Sequence, residues 1–454
     1  MEILETSDIQ GFVLTSYAKN MPCANYMLLK ISQLLPCKNW LKDMIPGITT
    51  GTDRKADYCL NIAFTASAFK KFGFTDSEFL SFSVPFQEGM TTASRRVILG
   101  DEGESAAKNW AWGNPESPVD IVLLLFANEE AEINKRLTEI KTNIESQKGV
   151  EIIKSLSAGR QPTAHEHFGF LDGIGQPIIE GTDKKASQVN RTGHATVIKA
   201  GEFILGYQNE MQKIDDLPKL ERMQDFGRNG TYVVFRQLEQ HVDKFWNYIK
   251  EKAGDSDGIS SQSDQDSLAA KMVGRWRSGA PLTLYKDSDP TIGNASIEEN
   301  NFGFAHDDIE GFGCPVGSHI RRTNPRDSLF NDSKVSLLTV NRHRIIRRGR
   351  SYGDRTKDVY QNDGKERGLF FLCINSNIER QFEFIQQMWA NNPNFDSLNN
   401  ENDPLIGIRS EINTFTVQGC PARTRVHELP DFVITKGGAY FFMPGMKALK
   451  LLAG

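Results

Sequence analysis

The chain has 454 residues, 39% hydrophobic and 24% charged, with a net charge of −5 and a pI near 6.0. That balance excludes a disordered tail protein and ranks phosphate-neutralising nucleic-acid binding low, since such binding needs a basic surface. No apolar run approaches the ~18 residues of a membrane span. The opening MEILETSDIQG shows no basic start followed by an apolar stretch, so a cytoplasmic protein is expected.

In chain order, residues 24–32 (ANYMLLKIS) read as a strand and 64–72 as a helix. Val119–Ala127 (VDIVLLLFA) is an apolar strand candidate that runs into the helically spaced ANEEAEINKRLTEIKTNIES. In the second half GTYVVFRQ (230–237) predicts a strand and HVDKFWNYIKEKA an amphipathic helix. GLFFLCI (368–374) predicts a second strand, followed by the helix NIERQFEFIQQMWAN. Each half thus carries strand–helix twice, the pattern of a split βαβ unit, which gives an α+β chain of two ferredoxin-like domains, 1–225 and 226–454. Stretches 254–267, 286–301, 353–368 and 391–404 are rich in turn formers and predict solvated loops. The six cysteines, at 23, 37, 59, 314, 373 and 420, show no CxxC spacing, and reduced thiols are expected.

Three clusters carry candidate chemistry. HEHFGFLDGIGQP (165–177) brackets one acid, Asp172, with glycines, the composition of a tight loop that aims a carboxylate. Its apolar neighbours Phe168, Phe170 and Leu171 would desolvate that acid and suit it to proton transfer, although an Asp-Gly pair also serves as a plain turn. His165 and His167 are two apart, so metal ligands and ordinary loop histidines both fit. GFGCPVGSHIRRTNPR (311–326) holds His319, a residue type that ligates haem iron, with Arg321, Arg322 and Arg326 close behind it. Arginines suit the carboxylates of haem propionates by bidentate hydrogen bonding; a buried histidine beside a solvated basic turn is the plainer alternative. NRHRIIRRGRSYG (341–353) holds five arginines around two isoleucines, and one pointed inward would be a permanent cation for a bound oxygen species.

GFLDG at 169–173 matches the GxxDG motif of the dye-decolorizing (DyP-type) peroxidases. CPxGSHIRRTNPR and RIIRRGRSYG follow in that family's order, and DIQGFVLTSY and GGAYFFMPG also resemble its two ends. The resemblance spans nearly the whole chain and is nearest to the longer fungal-like and advanced bacterial members. It implies two packed ferredoxin-like domains forming a barrel-like sandwich, with one haem b per chain held mostly by the second. It further implies Asp172 as the distal acid, Arg347 as the distal arginine (a slip to Arg348 stays open) and His319 as the iron ligand. Arg321 and Arg326, by residue type and nearness to His319, are the arginines expected to hold the haem propionates. Leu372 and Ile374, on one strand face, fall on positions that line the distal pocket, and Ile374 and Val316 replace the phenylalanines common there. The acid hydrogen-bonded to His319 aligns with Asp431, with Glu411 and Asp403 as competing choices. Tyr352 falls where some members carry a surface oxidation site. The expected function is reduction of hydrogen peroxide with one-electron oxidation of dyes and phenols, by a monomer or homodimer. An aspartate shuttle titrating near ~4 favours acid pH. A haem-handling protein with incidental peroxidase activity is the alternative, and a haem-free hydrolase lacks a G-x-S-x-G element.

Overall fold

A computed structural model describes residues 3–53, 57–161, 163–182, 197–254, 259–290, 300–409 and 413–454. Its centre is a ring of antiparallel strands. The strands are β1 (Cys23–Ile31), β2 (Tyr58–Phe64), β3 (Ile121–Ala127), β4 (Val150–Gly159), β5 (Thr231–Gln240), β6 (Ile346–Arg347), β7 (Arg350–Tyr352), β8 (Gly368–Asn375) and β9 (Val433–Met443). The order β5–β9–β2–β3–β1–β4–β7–β8 closes through a β8–β5 pairing, and β6 lies beside β8. In each half the fourth strand lies beside the first, the first beside the third and the third beside the second, so both halves are ferredoxin-like units. The seams are narrow: Phe64 opposite Phe442, and Gly159 opposite Ser351. Closure removes exposed strand edges from the ring.

Strand periodicity sorts side chains onto two faces. β3 is buried along its whole length because Val122, Leu124 and Phe126 point into the ring while Ile121, Leu123 and Leu125 point outward under helices. The interior is aromatic, with Tyr26 edge-on to Phe126, Phe235 and Phe370. Outside, helices Leu34–Met44 and Glu130–Gln147 cover the first half. Over the second half lie helix Val242–Lys252 and a π-helical run through Glu379–Glu383 and Ile385–Ala390, where a helix was expected. π-Helical turns occur mostly at functional sites.

Two expected loops differ. Within 254–267, Ser261 accepts a hydrogen bond from the Asp264 N–H while the Asp264 carboxylate accepts one from the Ser261 N–H. This capping box starts a helix at Gln262 that runs to Val273, so the polar residues are its exposed first turn. Stretch 391–404 is irregular, yet Glu401 and Asp403 within it are fully buried. Stretch 353–368 is a loop, and 291–299 lie outside the described residues.

Candidate active site

A cavity of about 980 Å³ lies outside the barrel wall, against the outward faces of β5, β8 and β9. His319, Asp172, Arg326 and Arg347 all line it, so the three sequence clusters converge on one site.

Asp172 sits in an irregular loop pinned by hydrogen bonds from Asp172 N–H to the Ala164 carbonyl and from Leu171 N–H to the Arg277 carbonyl. Gly173, at φ +86°, allows the turn that lets its N–H donate to Asp172 Oδ1 at 2.6 Å. The carboxylate is exposed to the cavity and is not desolvated as expected. Phe168 and Phe170 pack instead into a cluster with Phe245 and Trp246.

Arg347 and Arg348 both line the cavity but part by parity, and Arg347 is the one bonded to the Asp172 loop. On β6 it lies opposite Cys373 on the outward face, and its Nη2 donates to the Ile174 carbonyl at 2.8 Å, inside the Asp172 loop. Arg348 takes the other direction and donates to the Phe12 and Val13 carbonyls. Arg344, absent from the sequence expectation, joins Arg347 by donating to the Gly175 carbonyl at 3.2 Å. Burial and then the neighbouring Arg347 cation lower Arg344 to about 10. Arg326 donates to the Asn300 and Phe302 carbonyls and lies 3.8 Å from the Phe302 ring centre; burial, then Arg275 and Arg344, pull it well below the ordinary range. Every side-chain hydrogen bond these three arginines make among the described residues goes to a carbonyl oxygen.

His319 opens a five-residue helix, and its Nδ1–H donates to Asp403 Oδ2 at 2.9 Å. Asp403 is completely buried, and its Oδ1 accepts from the N–H groups of Leu405 and Ile406. Burial pushes this carboxylate up, but His319, Arg322 and the Ile406 N–H outweigh it and hold it below the usual range. With Nδ1 bonded to Asp403, Nε2 is the ring nitrogen left without a hydrogen bond among the described residues.

Several sequence expectations are corrected. Asp431 lines the cavity, but it faces Arg409 at 3.9 Å; Asp403 is the acid on His319, and Glu411 lies outside the described residues. Leu372 and Ile374 share a face as expected, but it is the inward one: both are fully buried in the barrel core, and Leu369 and Phe371 face the cavity. The register explains it, since Ile374 pairs with inward Ile346. Arg321 does not reach the cavity; it is buried and donates to the carbonyls of Asp308, Cys314 and Ile309. Tyr352 is buried against Phe370, with ring centres 4.5 Å apart, and is not a surface residue. His165 and His167 are separate: the first donates to the Thr163 carbonyl, the second to that of Tyr352.

A histidine with an ionised carboxylate behind it, an acid and a cation across one chamber: fold and site together define an oxidoreductase of the peroxidase class. Residues 8–162 match the DyP dimeric alpha+beta barrel domain family, and residues 164–407 match the Dyp-type peroxidase, C-terminal family. The chain is 30% identical to dye-decolorizing peroxidase msp1 of Mycetinis scorodonius, over 98% of this chain and 87% of that protein. It superposes on an ancestral D-type dye-decolorizing peroxidase with a TM-score of 0.83 and 28% identity, covering 99% of both chains. A dye-decolorizing peroxidase in complex with 2,6-dimethoxyphenol gives a TM-score of 0.82 and 25% identity over 100% of both. The chain belongs to the DyP-type peroxidases, and it is an enzyme that reduces hydrogen peroxide at the expense of organic donors. Peroxidases of this type are haem enzymes. The residues present fit that group: an imidazole held by a buried carboxylate, half-buried apolar walls at Leu369 and Phe371, and arginines bonded only to carbonyls, which suit an anionic ligand.

Proposed function

We propose that the cavity takes one haem b, which His319 would hold through Nε2 and Arg326 and Arg344 through its carboxylates. Bound there, haem would supply an iron centre that takes electrons from organic donors and passes them to peroxide. The rest is done by the chain's own side chains. Asp403 fixes the His319 tautomer and makes the ring a stronger donor. Asp172 takes the proton from one peroxide oxygen and returns it to the other, so that the leaving oxygen departs as water. Arg347, a permanent cation tied to the Asp172 loop, stabilises the negative charge that grows as the O–O bond lengthens.

The observation that carries this reading is the shared chamber: the Asp172 loop with Arg347 bound to it, and His319 backed by the buried Asp403, lie at the same cavity, which Asp172, Arg347 and His319 all line. The six cysteines, none in a disulfide, fit a reducing compartment, and we place the enzyme in the cytoplasm. The test is the absorption spectrum of haem-loaded protein before and after one equivalent of peroxide, for the wild type and His319→Ala. A Soret band that depends on His319 and shifts on peroxide addition is expected. A band that ignores peroxide would favour haem handling, and no band would overturn the reading.

A further inference from the structure

A second acid and arginine face the same cavity and have no part in the peroxide steps. On β5 the outward residues Arg236, Leu238 and Gln240 line the cavity, and Asp101 meets Arg236 from the turn after helix Ala93–Leu99. Asp101 is 2% exposed and Arg236 6%. They pair through Asp101 Oδ1 and Arg236 Nη2, and that nitrogen also donates to Thr435 Oγ1 at 2.8 Å. The pair's other atoms, Asp101 Oδ2 and Arg236 Nη1, are buried without a hydrogen-bond partner among the described residues. A buried ion pair with half its hydrogen-bonding capacity unused is costly and calls for an occupant. Glu102 and Gly103, next in the chain, line the cavity and are exposed, so this part of the wall lies at a mouth.

The pair leaves one donor and one acceptor unused in the cavity wall, and a phenolic hydroxyl is complementary to both. We propose that Asp101 and Arg236 form a phenol subsite in which Asp101 is the base for donor oxidation; the proposal rests on the peroxidase reading above. The phenol O–H donates to Asp101 Oδ2, and its oxygen accepts from Arg236 Nη1. On oxidation the O–H bond breaks and its proton passes to Asp101 Oδ2. One electron leaves the ring, with hydrogen peroxide the terminal acceptor that the enzyme's own activity supplies, and a neutral phenoxyl radical departs. The Asp101 carboxyl then releases the proton to water at the mouth. Losing proton and electron together avoids a strongly acidic phenol radical cation. It also divides the two half-reactions between two acids, Asp172 for peroxide and Asp101 for the donor.

A donor with no proton to lose separates this role from a structural one. With haem-loaded wild type and Asp101→Asn, single-turnover reduction after peroxide would be followed with 4-methylphenol and with ferrocyanide, in H2O and D2O. The variant is expected to lower the phenol rate relative to the ferrocyanide rate by about tenfold or more, the size of one hydrogen bond to a charged group, and to change the phenol's solvent isotope effect. Equal slowing of both donors would overturn the proposal and leave the pair as a structural one completed by internal water. Should Asp101→Asn fail to fold, calorimetry on resting wild-type holoenzyme decides. 4-Methylphenol should bind about tenfold tighter than 4-methylanisole, which lacks the O–H; equal affinities would refute the subsite. Calorimetry needs no peroxide, so a wild type that binds the phenol but ignores peroxide would sink the peroxidase reading alone.

Discussion

Asp172, Arg347, His319 and Asp403 differ in how replaceable each is. Asp172→Asn keeps the loop's shape but removes the proton acceptor, so peroxide reduction should fall by about 10²–10⁴-fold, the worth of a positioned general base, while the Soret band stays. Stopped-flow absorbance with peroxide checks this; a variant retaining most of its rate would shift the burden to Arg347. Asp403→Asn keeps a hydrogen-bond acceptor for His319 but no charge. The ring becomes a weaker donor to ferric iron, so the ferric/ferrous potential should rise and haem affinity should weaken by about 10–100-fold. Spectroelectrochemistry and haem transfer to an acceptor protein read the two effects. Asp403 was one of three acids the sequence left open, because a buried carboxylate inside NNPNFDSLNNENDP has no local signature. Its burial comes from the chain folding back under Arg322, whose guanidinium donates to the carbonyls of Trp389, Asn392 and Glu401.

At the scale of elements, parity decides which side chains meet the cavity. GLFFLCI reads as a strand by inspection, but which of its faces looks outward depends on its neighbours. Pairing with β5 and β6 turns Leu372 into the aromatic interior and Phe371 toward the chamber. Leu372→Ala should therefore cost about 2–5 kcal/mol in denaturant unfolding, whereas Phe371→Ala, at a half-buried wall, should cost less and change the haem spectrum. His167 carries a pH dependence. Burial holds it down to about 4 from an ordinary 6.5, although its hydrogen bond to the Tyr352 carbonyl opposes this. The unfolded chain thus binds that proton more readily. Stability from the neutral ring is fully present above pH 6.5 and is lost as pH falls from 6.5 through 4, by about 3 kcal/mol. Unfolding of His167→Asn across that window should show a flatter pH slope; an unchanged slope would move the effect to other groups.

Over the whole molecule, two ferredoxin-like units share one ring, and the chamber sits on the outside of the second unit's share of that ring. Its floor is sheet and its walls are loops and π-helix, so little of the surrounding packing fills it without a ligand. Haem binding to the folded state alone should raise stability by about 4 kcal/mol at a thousandfold excess over the dissociation constant. Differential scanning calorimetry of the haem-free and haem-loaded chain reads this as a rise in Tm; coincident transitions would mean that the cavity does not hold the group.

Sequence alone determined the two strand–helix pairs of each half and, through motif resemblance, singled out Asp172, Arg347 and His319 as candidates. Local spacing carries the first and the order of the family's motifs the second, and both are written along the chain. The strand faces, the acid behind His319, the burial of Arg321 and Tyr352 and the open Asp101–Arg236 pair were decided by tertiary structure. Each depends on which distant strand or loop lies alongside, and strand register fixes the direction of every second side chain only once the ring has closed.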